Sequence, residues 1–202
     1  ASTFDLVITD AVERKIRHLC SVIHNVEWSG TLFYKTEGSM DDGSFKATCV
    51  DLFVMDIGSS GYTEFNDSPD ILSYRIDHPE LLREGIYEGL IHSHNNMSAF
   101  FSATDSNTLI EEGSDKNHFL SLIVNNAGQY VARITRKLIK ENAIKAHIKT
   151  ISTTYYNTYG NNKIVIEDAV QKEEDKEDTR EIKTVEYFDL NIVKNNIEPE
   201  FL

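Results

Sequence analysis

The sequence predicts a mixed α/β fold in three layers, with a β-rich C-terminal extension. Helical and strand periodicities alternate over residues 10–137 in the order α-β-β-β-β-α-β-β. The 202 residues, 40% hydrophobic, suffice for one globular domain with an appendage and are too few for two full domains. Beyond residue 138 the periodicity weakens and charge density rises. The organisation expected is therefore a domain over 1–137 and an extension over 138–202.

Asp10 and Glu13 have capping-box spacing, and Val12, Ile16, Leu19 and Ile23 recur at helical intervals, so a helix is expected over 10–25. Residues 27–36, rich in Trp28, Leu32, Phe33 and Tyr34, read as a strand that ends in a Gly/Asp loop over 38–43. A second strand spans 45–56. The polar loop 58–70 leads to a short strand expected over 71–76 and a helical turn starting at Pro79. Residues 86–94 form the next strand. Ser102 stands at an N-cap position and Gly113 at a C′ position, bounding a helix over 102–112. Strands over 119–125 and 129–137 are joined by Asn126-Ala127-Gly128, a hairpin turn. In the extension, Glu167 to Glu181 holds eight acidic and three basic residues and reads as a solvated, flexible run. Residues 164–166 and 182–192 alternate as strands on either side of it, a β-hairpin add-on.

Charge and cysteine usage exclude several function classes. With 20 basic and 33 acidic residues the chain carries −13, which opposes a nonspecific grip on nucleic acid or on an anionic membrane. No apolar run approaches the roughly 18 residues of a membrane span. Cys20 and Cys49 form no CxxC pattern, so neither a disulfide framework nor a cysteine zinc site is indicated, and a reducing, cytoplasmic compartment is expected.

His92 and His94 sit at i and i+2 in a strand and project from one face. After seven intervening residues comes Ser102, with Asp105 three further on in the first turn of the following helix. A hydrolytic zinc site takes three protein ligands, usually imidazole nitrogen and carboxylate oxygen, and leaves a fourth position for water. His92, His94 and Asp105 supply that count. Bound zinc lowers the pKa of water to about 7, and a carboxylate is still needed to move protons. Glu27 is the candidate, at the opening of a strand expected to lie beside the histidine strand. The bland alternatives are that Ser102-x-x-Asp105 is only a capping box and His92-x-His94 only a packed pair. The fixed distance between the two pairs argues for a shared site.

The His-x-His, seven residues, Ser-x-x-Asp pattern resembles the signature of the JAMM/MPN+ zinc metalloproteases, over about residues 10–137. The resemblance implies a cytidine-deaminase-like MPN fold, a mixed β-sheet flanked by helices. It also implies zinc held by His92, His94 and Asp105, Glu27 as general base and acid, and Ser102 stabilising the tetrahedral oxyanion. The implied activity is cleavage of peptide or isopeptide bonds, deubiquitinase-like, on a protein or peptide substrate that includes ubiquitin-like conjugates. A partner subunit or a second copy of the chain stays open. The family usually has proline directly after the second histidine; here it is Asn95. The alternative class is a non-catalytic scaffold of the same superfamily, which usually loses ligands that this chain keeps. A DNA-repair branch fits poorly, because His94 is followed by Asn95-Asn96-Met97 and the charge is −13. Zinc deamination lacks its Pro-Cys-x-x-Cys segment.

Overall fold

In a computed structural model the described residues are 3–58, 70–158 and 163–194, with side chains described over 3–58, 70–138 and 184–194. The chain opens with a strand that sequence reading does not anticipate, β1 (Phe4–Ile8), in which Phe4, Leu6 and Ile8 are alternately buried. Five residues carry too little periodicity to stand out.

Helix α1 (Asp10–Val22) follows, capped by Thr9, whose Oγ1 accepts from the Val12 N–H. The cap is thus one residue earlier than the Asp10–Glu13 spacing suggests. Strands β2 (Trp28–Glu37) and β3 (Lys46–Ile57) pair antiparallel, with register shifts at Ser29/Gly30 and Phe33/Tyr34. Residues 71–76, expected as a strand, lie in helix α2 (Asp70–Asp77), followed by a 3₁₀ turn over Pro79–Leu82. Helical geometry brings Ile71 and Tyr74, three apart, toward one side, where they pack with Phe33, Phe53 and Leu81. Tertiary contact outweighs the β-branched composition of that segment.

Strand β4 (Ile86–Ser93) pairs antiparallel with β2 and parallel with β5 (Leu120–Val124). Helix α3 (Ala103–Gly113) makes the crossover between β4 and β5. β6 (Tyr130–Thr158) pairs antiparallel with β5, and Leu190–Lys194 of β7 (Lys163–Lys194) pairs parallel with β1. The acidic run 167–181 lies within β7, and its side chains lie outside the described ones.

The expected cytidine-deaminase-like MPN fold, a mixed sheet flanked by helices, is corrected by this topology. The strands are ordered β1-β3-β2-β4-β5-β6-β7 and form a closed barrel. Closure depends on pairing Phe4 with Leu190 and Ile8 with Lys194. These partners are separated by nearly the whole chain, and no local pattern announces such a pairing.

The main core joins β1, α1 and the sheet through Leu6, Ile8, Val12, Ile16, Trp28, Leu32, Tyr34, Leu52, Ile91 and Leu122, all buried. A smaller cluster of Leu90, Leu109 and Phe119, with Phe101 against it, seats α3 on β4 and β5. Gly113, expected beyond the helix, is its last residue and makes a close approach. A Cβ there would meet Thr135 Oγ1 at 2.6 Å. By compactness the chain divides into one unit of Ala1–Lys137 with Val185–Leu202 and another of Leu138–Thr184. No helix among the described residues is long and apolar enough to cross a membrane.

Candidate metal centre

β4 places the first histidine. His92 is in register with Ser29 of β2 on one side and Ile123 of β5 on the other, so the strand that carries it is held on both edges. The pairing continues one residue past the strand, where the His94 N–H donates to the Val124 carbonyl at 2.8 Å. His92 and His94 are buried, and their Nε2 atoms lie 3.1 Å apart.

Helix α3 supplies the third group. Ser102 is its N-cap: the Asp105 N–H donates to Ser102 Oγ at 3.1 Å, and the Ser102 N–H donates to Asp105 Oδ2 at 2.9 Å. This reciprocal capping box is therefore present, and it orients the Asp105 carboxylate. Oδ1 faces His92 Nε2 at 3.1 Å and Oδ2 faces His94 Nε2 at 3.3 Å. The bland and functional readings of Ser102-x-x-Asp105 coexist, since the cap aims the carboxylate at the histidines.

These three side chains form a group able to hold a metal ion. A tetrahedral ion about 2.0–2.1 Å from nitrogen and oxygen donors sets donor–donor distances of roughly 3.3 Å. The His92–His94 Nε2 separation of 3.1 Å is near that edge length, Asp105 faces the two histidines with different oxygens at 3.1 and 3.3 Å, and one donor atom from each residue lies within 4.8 Å of the others. Three donors leave a fourth position open. His94 Nδ1 lies 2.9 Å from the Ser98 carbonyl, which takes a proton on Nδ1 and leaves the Nε2 lone pair for an ion. The donor set thus fits zinc in chemistry, with its atoms close enough to share one ion.

Electrostatics agree. Burial alone would push the Asp105 carboxyl up, but hydrogen bonds to His92 and His94, the charge of His92 and the Ser102 N–H hold it well below the usual carboxylate range. Burial would lower His94, yet its contacts with Asp105 and Ser98 and the charges of Asp105 and Glu27 raise it. A cation would compete with that proton, so metal affinity must fall at acid pH.

Glu27 precedes β2 and is buried. Burial raises its carboxyl above the ordinary glutamate value; His92 and His94 oppose the rise and Asp105 adds to it. The sequence-predicted set of Glu27, His92, His94, Ser102 and Asp105 is therefore brought into one neighbourhood. In the loop 38–43, Asp41 pairs with Arg136 at 2.8 Å. Of the loop 58–70, residues 59–69 lie outside the described residues. His24, His78 and His118 bond the Cys20 carbonyl, the Tyr74 carbonyl and the Tyr34 hydroxyl respectively. Cys20 and Cys49 are free and buried, and burial pushes the Cys20 thiol up to about 11.

Sequence reasoning missed the residues that hold the His94 loop. Asn95, where the resembling family has proline, adopts φ +46°, and its N–H donates to Ser93 Oγ at 2.9 Å. Proline can do neither, because its ring fixes φ near −65° and it lacks an N–H. Asparagine tolerates the left-handed region, so its doubled occurrence at Asn95-Asn96 and Asn125-Asn126 was the available signal. Phe100, half exposed, also went unnoticed; its ring meets His94 edge-on with centroids 5.4 Å apart.

No family model matches the chain, and no curated protein matches it. Among solved structures it is similar to the solution structure of protein DSY2949 from Desulfitobacterium hafniense, at 16% identity and a TM-score of 0.36. That match covers 65% of this chain and 83% of the other, a superposition too loose to carry an argument about chemistry.

Proposed function

We propose that the protein is a zinc-dependent peptidase or isopeptidase, with ubiquitin-like conjugates as its substrate class. The carrying observation is the convergence of His92 Nε2, His94 Nε2 and the Asp105 carboxylate at 3.1–3.3 Å, with the buried Glu27 beside them. The spacing that resembles JAMM/MPN+ enzymes supports the substrate class. The proposal stands on the constellation rather than on the fold, since function resides in sites and not in architecture.

Zinc held there would polarise the scissile carbonyl and lower the pKa of water to about 7. Glu27 accepts a proton from the attacking water and returns it to the departing amine. Its raised affinity for a proton, caused first by burial, suits a group that must both take and give one. Ser102 Oγ already accepts from the Asp105 N–H, which leaves its O–H free to donate to the oxyanion. Asp105, fixed by the cap, is held against both histidines and would share the ion with them.

The test is elemental analysis and turnover of the wild type, His94→Ala and Glu27→Gln, using isopeptide-linked ubiquitin dimers and a quenched-fluorescence peptide library. Near-stoichiometric zinc in the wild type and Glu27→Gln, lost in His94→Ala, with turnover in the wild type alone, supports the reading. A wild type that binds no zinc after reconstitution overturns it in favour of a non-catalytic scaffold.

A further inference from the structure

The loop that carries the second histidine is held from behind by the turn between β5 and β6. The His94 N–H bonds the Val124 carbonyl at 2.8 Å, and the Asn95 carbonyl accepts from the Asn126 N–H at 2.7 Å. The Asn126 side-chain amide donates twice from Nδ2, to Asn96 Oδ1 at 3.0 Å and to the His24 carbonyl at 2.8 Å. Asn125, buried, donates from Nδ2 to the Met97 carbonyl at 3.0 Å and to Gln129 Oε1 at 2.7 Å. Its Oδ1 accepts from the Ala127 and Gln129 N–H groups at 3.1 and 2.9 Å, which fixes the turn that presents both asparagines.

Asn126 therefore ties together the chain just beyond α1, the β5–β6 turn and the histidine loop. A backbone carbonyl can only accept, so His24 dictates that Nδ2, not Oδ1, points toward it. Asn126 Oδ1 is left buried without a hydrogen-bond partner among the described residues. A buried acceptor without a partner costs about 1–3 kcal/mol, so this residue is not what stability alone would select. Its donors serve the loop.

Resting on the metal reading above, we infer that Asn126 is a positioning residue for the metal centre. Its side chain touches none of the three donor atoms and acts through Asn96, beside the backbone bond to Asn95, on where His94 Nε2 sits relative to His92 and Asp105. Partners that orient metal ligands from outside typically contribute about 10–100-fold in metal affinity, which is the size of effect expected here.

The test uses Asn126→Asp, nearly isosteric but turning an acceptor toward two acceptors, and Asn126→Ser, which shortens the side chain in case the first variant folds poorly. Val12→Ala, in the core on α1 and away from the loop, serves as a control for loss of stability alone. Metal affinity is read by chelator competition with zinc, and ligand geometry by the visible spectrum of the cobalt(II)-substituted protein. Both Asn126 variants should weaken zinc roughly 10–100-fold and alter the cobalt spectrum. kcat should fall with little change in KM. Val12→Ala should lower the melting temperature and leave the cobalt spectrum unchanged. Asn126 variants with wild-type affinity and spectrum overturn the inference alone. A wild type that takes up neither metal overturns the metal reading and this inference with it.

Discussion

Ser102 caps α3 and is the oxyanion donor of the proposed mechanism, and a substitution series can divide the observed role from the proposed one. As N-cap its Oγ accepts the Asp105 N–H at 3.1 Å, one of the four donors that a helix start leaves without intrahelical partners. Removing it in Ser102→Ala should cost about 1 kcal/mol, within a range of roughly 0.5–2. In a chain of this size that lowers the melting temperature by about 2–4 °C. As oxyanion donor its loss should reduce kcat by about 10²–10³. The two effects differ enough to be told apart, because a protein several kcal/mol stable stays folded at 25 °C after losing one. Ser102→Asp keeps a good cap without a hydroxyl donor, so it should melt near the wild type and still lose activity. Ser102→Thr keeps both functions and should retain most of the rate. Thermal melts, zinc content and turnover on all three variants are the assay. If kcat falls less than about tenfold in both Ser102→Ala and Ser102→Asp, where oxyanion catalysis expects far more, the hydroxyl has no role beyond the cap.

Three further outcomes follow from the geometry. Because burial raises the Glu27 carboxyl, its proton-accepting form is lost on acidification sooner than for an ordinary glutamate. In the metal-free protein the Glu27 side chain should therefore titrate above about 4.3, read by NMR of its carboxyl; a midpoint at or below the ordinary value refutes the raised proton affinity. The same raised value means that protonated Glu27 favours the folded metal-free protein below the unfolded pKa, a contribution lost as pH rises through the folded pKa. Asn95→Pro should destabilise by more than about 1 kcal/mol, since proline cannot reach φ +46° and forfeits the bond to Ser93, whereas Asn95→Gly should be tolerated. Equal melting temperatures for the two variants would disprove the left-handed turn. Gly113→Ala should cost about 1–3 kcal/mol by overpacking, because its Cβ would sit 2.6 Å from Thr135 Oγ1; adding Thr135→Ser should recover a small part of that loss, as it removes Cγ2, one of the three crowded Thr135 atoms, and leaves Oγ and Cβ in place.

Much of the candidate site was legible because its order is local. His92 and His94 share a face by simple alternation at the end of β4, and Ser102 and Asp105 are joined by cap spacing at the start of α3, so four of the five predicted side chains could be grouped from short stretches of chain. Glu27 was harder: it lies 65 positions before His92, and only the β2–β4 pairing, with Ser29 opposite His92, shows why its strand brings it there. Asn125 and Asn126 were illegible as supports, since nothing in Asn-Ala-Gly distinguishes an ordinary hairpin turn from one that clamps a loop 30 residues earlier in the chain.

By itself the sequence determined most of the elements, the pairing of capping box and histidines, and the acidic balance that disfavours nucleic acid. These are set by periodicity, spacing and summed charge, quantities that survive without a fold. Tertiary structure alone decided that residues 71–76 coil into a helix, that the sheet closes through β1 and β7, and that Asn95 must turn left-handed. Each depends on contacts between distant segments: Ile71 against Phe33, Phe4 beside Leu190, the Asn95 carbonyl on Asn126. The free energy of such contacts exceeds the local preferences that a sequence displays, so the segments follow the packing.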